Sequence, residues 1–424
     1  VGLLSTSSES ISSRLFLDLT DVVSHVLWHQ TGTGIQRVQI EITEALMSSG
    51  LEVVPFSLYD NVWRDLRPFI ESAKGDADKL YAHLRSGHAR PERWTSWRRL
   101  RRLGARHRMQ EPQPPRPRLN FRDILFVGGA FWMNRGAIDL CKTAVARHAK
   151  LVVLIHDLIP ITNPEFVGED YAQRYLEVLR LPAHFIVTTR YTLSALNSVR
   201  KKLGVGQALS SVVPLAYEFP GTARNYRAQA KPKELKTCPS RPFALCVGTV
   251  EIRKNHDLLF RIWEELKSER PDLPDLVIAG RRGWKADAAL NKLEEFSHSN
   301  RHIIFIEAPS DAVLRWLYSA CEFTLYPSFL EGWGLPVAES LWFGKACAAS
   351  NTSSIPLVGG DLCAYFSPYS PEEMKAAILA LLDPRVRHAY EEKIASACLR
   401  TWAEVAEDLA EVITHEGSEA SHVA

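Results

Sequence analysis

Tyr326-Pro-Ser-Phe-Leu-Glu331-Gly-Trp-Gly334-Leu-Pro336-Val-Ala-Glu339-Ser-Leu-Trp-Phe-Gly344 follows directly on the short apolar run Phe323 to Leu325. Pro336 suits a first helical turn, where its missing N–H costs nothing, and Gly344 suits a helix stop. The stretch therefore reads as strand, glycine loop, helix, with Gly332 and Gly334 in the loop. Free backbone N–H groups at such a helix start suit a phosphate. Glu339, inside the helix, is placed to accept two hydrogen bonds from a diol, each worth about 1.5–3 kcal/mol to a charged acceptor. Glu331 lies on the loop side. The plainer alternative is a solvated Glu331 and a Glu339 that merely complements the helix dipole.

Working outward, apolar runs alternate with helical patterns on both sides of this stretch. Strands are predicted at Leu15 to Leu19, Leu51 to Leu58, Ile124 to Val127, Leu151 to Ile155, Phe185 to Thr188 and Ser211 to Val213. A second series is predicted at Phe243 to Val247, Leu276 to Ala279, Ile303 to Ile306, Phe323 to Leu325 and Ala346 to Ala349. This is the grammar of parallel sheets covered by helices, and 424 residues are too many for one core. The fold class is thus α/β with two Rossmann-like domains, residues 14–219 and 241–400. A polar linker, 220–240, joins them, and a helix at 401–415 is expected to pack back on the first domain.

Three further stretches carry candidate chemistry. Arg253 and Lys254 stand after the strand that ends at Gly248, just ahead of Asn255, a good helix cap. Cations at a helix start oppose its dipole and need an anion there, or else they are simply solvated. Gly32-Thr33-Gly34-Ile35-Gln36-Arg37 is a glycine turn entering a helix, with Thr33 and Gln36 at capping-box spacing and Val38, Ile42, Ala45 and Leu46 as its core stripe. Arg37 adds an anion contact, although the turn also fits an ordinary strand-to-helix junction. His156-Asp157 follow a buried strand, at the end that faces the ligand crevice of open α/β sheets; a structural histidine is the competing reading.

Together these stretches resemble the retaining glycosyltransferase family 4, of GT-B fold, over most of residues 14 to 415. The resemblance rests on the Glu331…Glu339 pair in its Tyr-Pro-Ser-x-x-Glu-Gly-x-Gly-Leu-Pro-x-x-Glu setting and on Gly-Thr-x-x-x-Arg-Lys-Asn at 248 to 255. Support comes from Gly32 to Arg37, His156-Asp157-Leu158, Ala279-Gly280-Arg281, and Ser350 to Ser354 leading to Gly360-Asp361. The resemblance implies that Glu339 binds the nucleotide ribose and Glu331 the hydroxyls of the transferred sugar. Backbone amides at Gly332, Trp333, Gly334 and Leu335 would help hold the donor, and Arg253 and Lys254 its pyrophosphate. His156 would sit over the reacting sugar, Gly34 under the phosphates, and Arg37 and Asp157 on the acceptor or phosphate side. One departure is Thr249, where many members have Arg.

The wording leans toward mannosyl- or deoxyhexosyltransferases of bacterial surface polysaccharides, with mannose from GDP-mannose as the best donor and a glycan, growing on a lipid, as acceptor. The expected mechanism is front-face transfer with retention, because Glu331 would lie beside the outer hydroxyls and not under the anomeric carbon. No metal and no cofactor is expected: the single Asp-x-Asp, Asp76-Ala-Asp78, lies in a polar run away from any strand. The alternatives are a GT-B nucleotide-sugar epimerase or phosphorylase, and a non-catalytic sugar-nucleotide-binding scaffold.

Seven scattered cysteines without a Cys-x-x-Cys pair argue for a reducing compartment and against structural zinc. A formal charge of +2 does not suit a nucleic-acid coat. No apolar stretch is long enough to span a membrane, and Val1 to Ser13 is read as a trimmed or disordered leader instead of a signal peptide. Residues 85–118 hold eleven Arg and two acidic residues. There Trp97, Leu100 and Leu103 fall on one helical side and Arg98, Arg99, Arg101 and Arg102 on the other, which suits an anionic membrane surface; a disordered basic loop is the alternative, and RNA binding, with few stacking aromatics, a third. The expected location is cytoplasmic, peripheral on the inner face of the membrane.

Overall fold

The computed structural model describes residues 13–29, 31–59, 62–88, 118–167, 170–228, 230–235, 239, 242–299 and 302–414. The leader, most of the basic insertion with Trp97, Arg98, Arg99, Arg101 and Arg102, and parts of the linker lie outside these residues.

The first sheet comprises β1 (Arg14–Asp18), β2 (Glu52–Tyr59), β3 (Val62–Asp65), β4 (Ile124–Val127), β5 (Lys150–Ile155), β6 (His184–Val187) and β7 (Ser210–Val212). They lie in the order β3-β2-β1-β4-β5-β6-β7, parallel except for β2 against β3. The second sheet comprises β8 (Phe243–Val247), β9 (Asp275–Gly280), β10 (Ile303–Glu307), β11 (Thr324–Tyr326), β12 (Cys347–Ser350) and β13 (Cys363–Phe366). Its order, β10-β9-β8-β11-β12-β13, is wholly parallel. Strands buried on both faces need continuous apolar runs, and Phe243–Val247 and Leu276–Ala279 supply them.

Each sheet reverses its strand order once: β1 beside β4, with Leu15 opposite Ile124, and β8 beside β11, with Leu245 opposite Thr324. Ligands approach such sheets outside the carboxyl ends of the strands at these switch points. Chain segments following β1, β5 and β6 meet those following β9, β11 and β12.

One apolar cluster crosses the seam between the sheets. It runs from Leu15 and Leu17 through Val38, Ile42 and Leu46 on the helix Gly34–Met47 to Val337 and Leu341 on the helix Leu335–Trp342. The helix Trp402–Thr414 joins it through Trp402, Val405, Leu409 and Ile413. That last helix lies against Gly34–Met47, and Lys150 Nζ donates to the Ile413 carbonyl at 2.7 Å.

Two strands escape the sequence reading. β3, Val-Trp-Arg-Asp, is a half-buried antiparallel edge with no alternation to mark it. β13, Cys-Ala-Tyr-Phe, follows the turn-like Gly360-Asp361 and is an outer strand paired to β12 alone. Asn255 also departs from expectation. It precedes the helix His256–Glu269 but adopts a left-handed φ of 57° and makes no side-chain cap. Its Nδ2 donates instead to the carbonyls of Pro327 (3.3 Å) and Pro368 (2.9 Å).

Candidate active site in the interdomain cleft

The loop after β11 ends at Gly334, whose φ of 108° only glycine adopts without strain. Pro336 sits in the first turn of the helix that follows, and the Val337 N–H returns to the Gly334 carbonyl at 2.9 Å. This helix start faces the glycine turn of the other domain: a Cβ added to Gly34 would stand 3.1 Å from Leu335 Cδ1. Closer still, a Cβ on Gly332 would fall 2.0 Å from the His156 carbonyl oxygen. Thr188 Oγ1 donates to the Gly332 carbonyl at 3.1 Å. Gly332 thus lets the two halves close backbone to backbone, and Gly34 leaves room for the Leu335 side chain.

Glu331 is buried at the centre of this contact. Its Oε1 accepts from Lys254 Nζ at 2.7 Å and from Ser328 Oγ, and its Oε2 pairs with Arg253 Nη1 at 2.7 Å. The Glu331 N–H donates to Ser353 Oγ at 2.9 Å. Arg253 is fixed in turn by Glu251 (2.6 Å) and by the Leu330 carbonyl (2.7 Å), and Lys254 by the Tyr326 hydroxyl (2.7 Å). The anion those cations require is therefore a carboxylate of the protein itself. Burial alone would raise the Glu331 carboxyl, but Arg253 and Lys254 bring it down to about 2. Burial pushes Lys254 below its ordinary value, with Glu331 opposing and Arg253 reinforcing the shift.

Glu339 repeats the pattern across the domain boundary. Arg37, expected at an acceptor or a phosphate, instead donates to Glu339 Oε1 at 2.8 Å and lies 4.5 Å over the Phe219 ring. The other oxygen accepts from the Tyr318 hydroxyl at 2.8 Å. Burial raises the Glu339 carboxyl, and Arg37 and Tyr318 oppose the shift.

His156 is buried, and its Nε2 donates to the Gly128 carbonyl at 2.7 Å. A carbonyl only accepts, so this bond places the ring proton on Nε2. Burial lowers its pKa, so the neutral ring carries its lone pair on Nδ1. Asp157 accepts from the Ile159 N–H at 3.0 Å, and burial raises it while Arg253 opposes. Trp333 lies edge-on to Tyr217, centroids 6.3 Å apart, and its buried indole N–H finds no partner among the described residues.

His156, Asp157, Gly34, Arg37, Arg253, Lys254, Glu331, Gly332, Trp333, Gly334, Leu335 and Glu339 thus all lie on segments that meet at the cleft. Sequence reasoning gave no role to Tyr318, Ser328, Ser353, Gly128 and Phe219, which hold them. Tyr326 and Ser328 fall within the quoted motif, but a hydroxyl's partner is invisible in sequence. Among the described residues no group of His, Cys, Asp and Glu is arranged to hold a metal ion, and no helix is long and apolar enough to cross a membrane.

Two sheets of this strand order, facing each other across a cleft, define the GT-B glycosyltransferase architecture. Solved structures share it: sucrose-phosphate synthase from Thermosynechococcus elongatus has a TM-score of 0.61 at 14% identity, covering 94% of this chain and 98% of that one. WaaG, a glycosyltransferase involved in lipopolysaccharide biosynthesis, has a TM-score of 0.58 at 14% identity, covering 95% of this chain and 100% of its own. Residues 228–396 match the family of glycosyl transferases group 1, and the chain carries a domain of that family.

Among curated relatives, O-antigen chain mannosyltransferase B of Escherichia coli is 35% identical over 140 residues, 33% of this chain and 36% of the relative. The serotype-specific mannosyltransferase WbdA of Escherichia coli is 28% identical over 297 residues, 67% of this chain and 36% of the relative. The matches thus span about a third of the length of these relatives.

Proposed function

We propose that the chain transfers a hexose or deoxyhexose, mannose from GDP-mannose in the first instance, to a growing lipid-linked glycan with retention of configuration. The observation that carries this reading is the Glu331 carboxylate clamped between Arg253 and Lys254 at the closed seam. Mannosyltransferase relatives and the GT-B fold support it.

In this reading the donor diphosphate takes over the N–H groups of Arg253 and Lys254 and those at the start of the helix Leu335–Trp342. Glu331 then turns its freed oxygens to sugar hydroxyls, and Glu339 accepts from the ribose diol. Gly332, Trp333, Gly334 and Leu335 line the donor, with Gly34 under its phosphates, His156 over the sugar and Asp157 on the acceptor or phosphate side. Glu331 in this role lies beside the outer hydroxyls and not under the anomeric carbon, which disfavours a covalent intermediate on it. The bond from the anomeric carbon to the phosphate oxygen breaks, and the acceptor oxygen bonds on the same face. The acceptor's proton passes to the departing phosphate, whose charge the cations and helix dipole stabilise. These groups fill the role of a metal clamp, so no metal is required. Trp97 and its neighbouring arginines would hold the enzyme to the cytoplasmic membrane face.

Calorimetric titration of GDP, UDP, dTDP and ADP, first in EDTA and then with Mg²⁺, tests the donor site. Metal-independent binding of GDP above the others is expected, and binding of none refutes the reading. NMR of the product from GDP-mannose tests retention, with an α linkage expected from the α donor.

A further inference from the structure

Three aromatic side chains crowd one rim of the cleft. Tyr369, in the loop after β13, is 73% exposed and stacks on half-buried Phe329, centroids 5.2 Å apart and planes 28° off parallel. Tyr191, in the first turn of the helix Arg190–Lys202 on the opposite domain, is 42% exposed and stands two residues after Thr189, whose hydroxyl meets that of Ser354 across the seam. One exposed aromatic residue needs no explanation, but a group of three from both domains does.

The group is built, not merely uncovered. The Phe329 N–H donates to the Arg253 carbonyl at 2.9 Å, and the Asn255 amide holds the Pro368 carbonyl, next to Tyr369, at 2.9 Å. Both stacked rings therefore hang from the turn whose cations clamp Glu331. Beside them, Thr189 Oγ1 meets Ser354 Oγ across the seam at 2.9 Å, and Ser353 Oγ holds the Glu331 N–H. The shelf is continuous with the candidate site through Ser353 and with the first domain through Thr189.

Its chemistry is that of flat ring faces, since the Thr189 and Ser354 hydroxyls beside them are buried against each other. A pyranose offers the complement, an apolar C–H face edged by hydroxyl groups. A donor buried among Glu331, Arg253 and Lys254 needs no exposed shelf. A glycan whose terminal sugar sits beside that donor must cross the protein surface to leave. We propose that Tyr369, Phe329 and Tyr191 form an acceptor subsite that stacks on a pyranose behind the one being extended, an inference that rests on the transfer reaction proposed above.

The test is kcat/KM for transfer from GDP-mannose to mannose, an α-linked mannobiose and a mannotetraose. The wild type is compared with Tyr369→Ala and Tyr369→Phe, and with Tyr191→Ala as an independent variant from the other domain. Wild-type kcat/KM should rise with acceptor length. Tyr369→Ala should lower the tetraose value about tenfold through KM, while Tyr369→Phe keeps it, since the stacked face survives. A rise that persists in both alanine variants, or that the wild type lacks, overturns the subsite. So does loss of binding to vesicles of anionic phospholipid with the length dependence intact, which would assign the rings to a membrane. A wild type that neither transfers to any acceptor nor hydrolyses GDP-mannose refutes the transfer reading itself, and the subsite with it.

Discussion

Glu331→Gln removes one negative charge from between two buried cations and changes almost nothing else in shape. A carboxyl lowered from 4.5 to about 2 contributes about 3 kcal/mol at neutral pH, because the contribution is complete above the unfolded value and is lost as pH falls through the folded one. Breaking a buried pair from one side costs a similar 3–5 kcal/mol. For a domain of this size the melting temperature of the variant should fall by roughly 6–12 °C at pH 7. GDP should then act unequally. It offers Arg253 and Lys254 phosphate oxygens in place of the lost carboxylate, and it carries no sugar whose hydroxyls would miss Glu331. At one GDP concentration the rise in melting temperature should therefore be larger in Glu331→Gln than in wild type, while transfer from GDP-mannose falls at least about a hundredfold. Differential scanning fluorimetry over a GDP series, with a product assay beside it, reads both. A smaller GDP-induced rise in the variant would refute the reasoning, since Glu331 would then be supporting the phosphate site and not competing for its cations.

Gly332→Ala should force the halves apart, because the new methyl would meet the His156 carbonyl oxygen at 2.0 Å. Transfer should drop by at least about a hundredfold, with a larger radius of gyration in X-ray scattering and a lower melting temperature, since the apolar cluster crosses the seam. Arg37→Gln strips Glu339 of its cation, so a carboxyl already raised by burial climbs further. Nucleotide affinity should weaken, more so at pH 6 than at pH 8, and equal weakening at both would count against the ribose role. EDTA should leave turnover intact; a tenfold loss restored by Mg²⁺ would put a metal on the diphosphate. Trp402→Ala should cost about 3–5 kcal/mol, because the buried indole also donates to the Glu218 carbonyl at 3.1 Å, and its check is the shift in thermal unfolding.

What could be read in the sequence follows the range of the physics involved. The strand, loop and helix around Glu331 and Glu339 are local: an apolar run, two glycines, a proline in the first turn and a glycine stop suffice to place them. The central parallel strands are legible for the same reason, since burial on both faces demands unbroken apolar runs. β3 and β13 are edges, where one partner suffices and sequence pressure relaxes. The charges of the cleft are legible as residues but not as pairs. Arg253 and Lys254 are recognisably in need of an anion, yet that the anion is Glu331, 77 residues beyond Lys254 along the chain, follows only from β8 lying beside β11. Arg37 and Glu339 are 302 residues apart and meet only because one domain closes on the other. Asn255 makes the point at the smallest scale. Its position at a helix start predicts a cap, but its backbone is left-handed and its Nδ2 is turned to the carbonyls of Pro327 and Pro368, and through the first of these the turn that carries the cations is tied to the loop that carries Glu331.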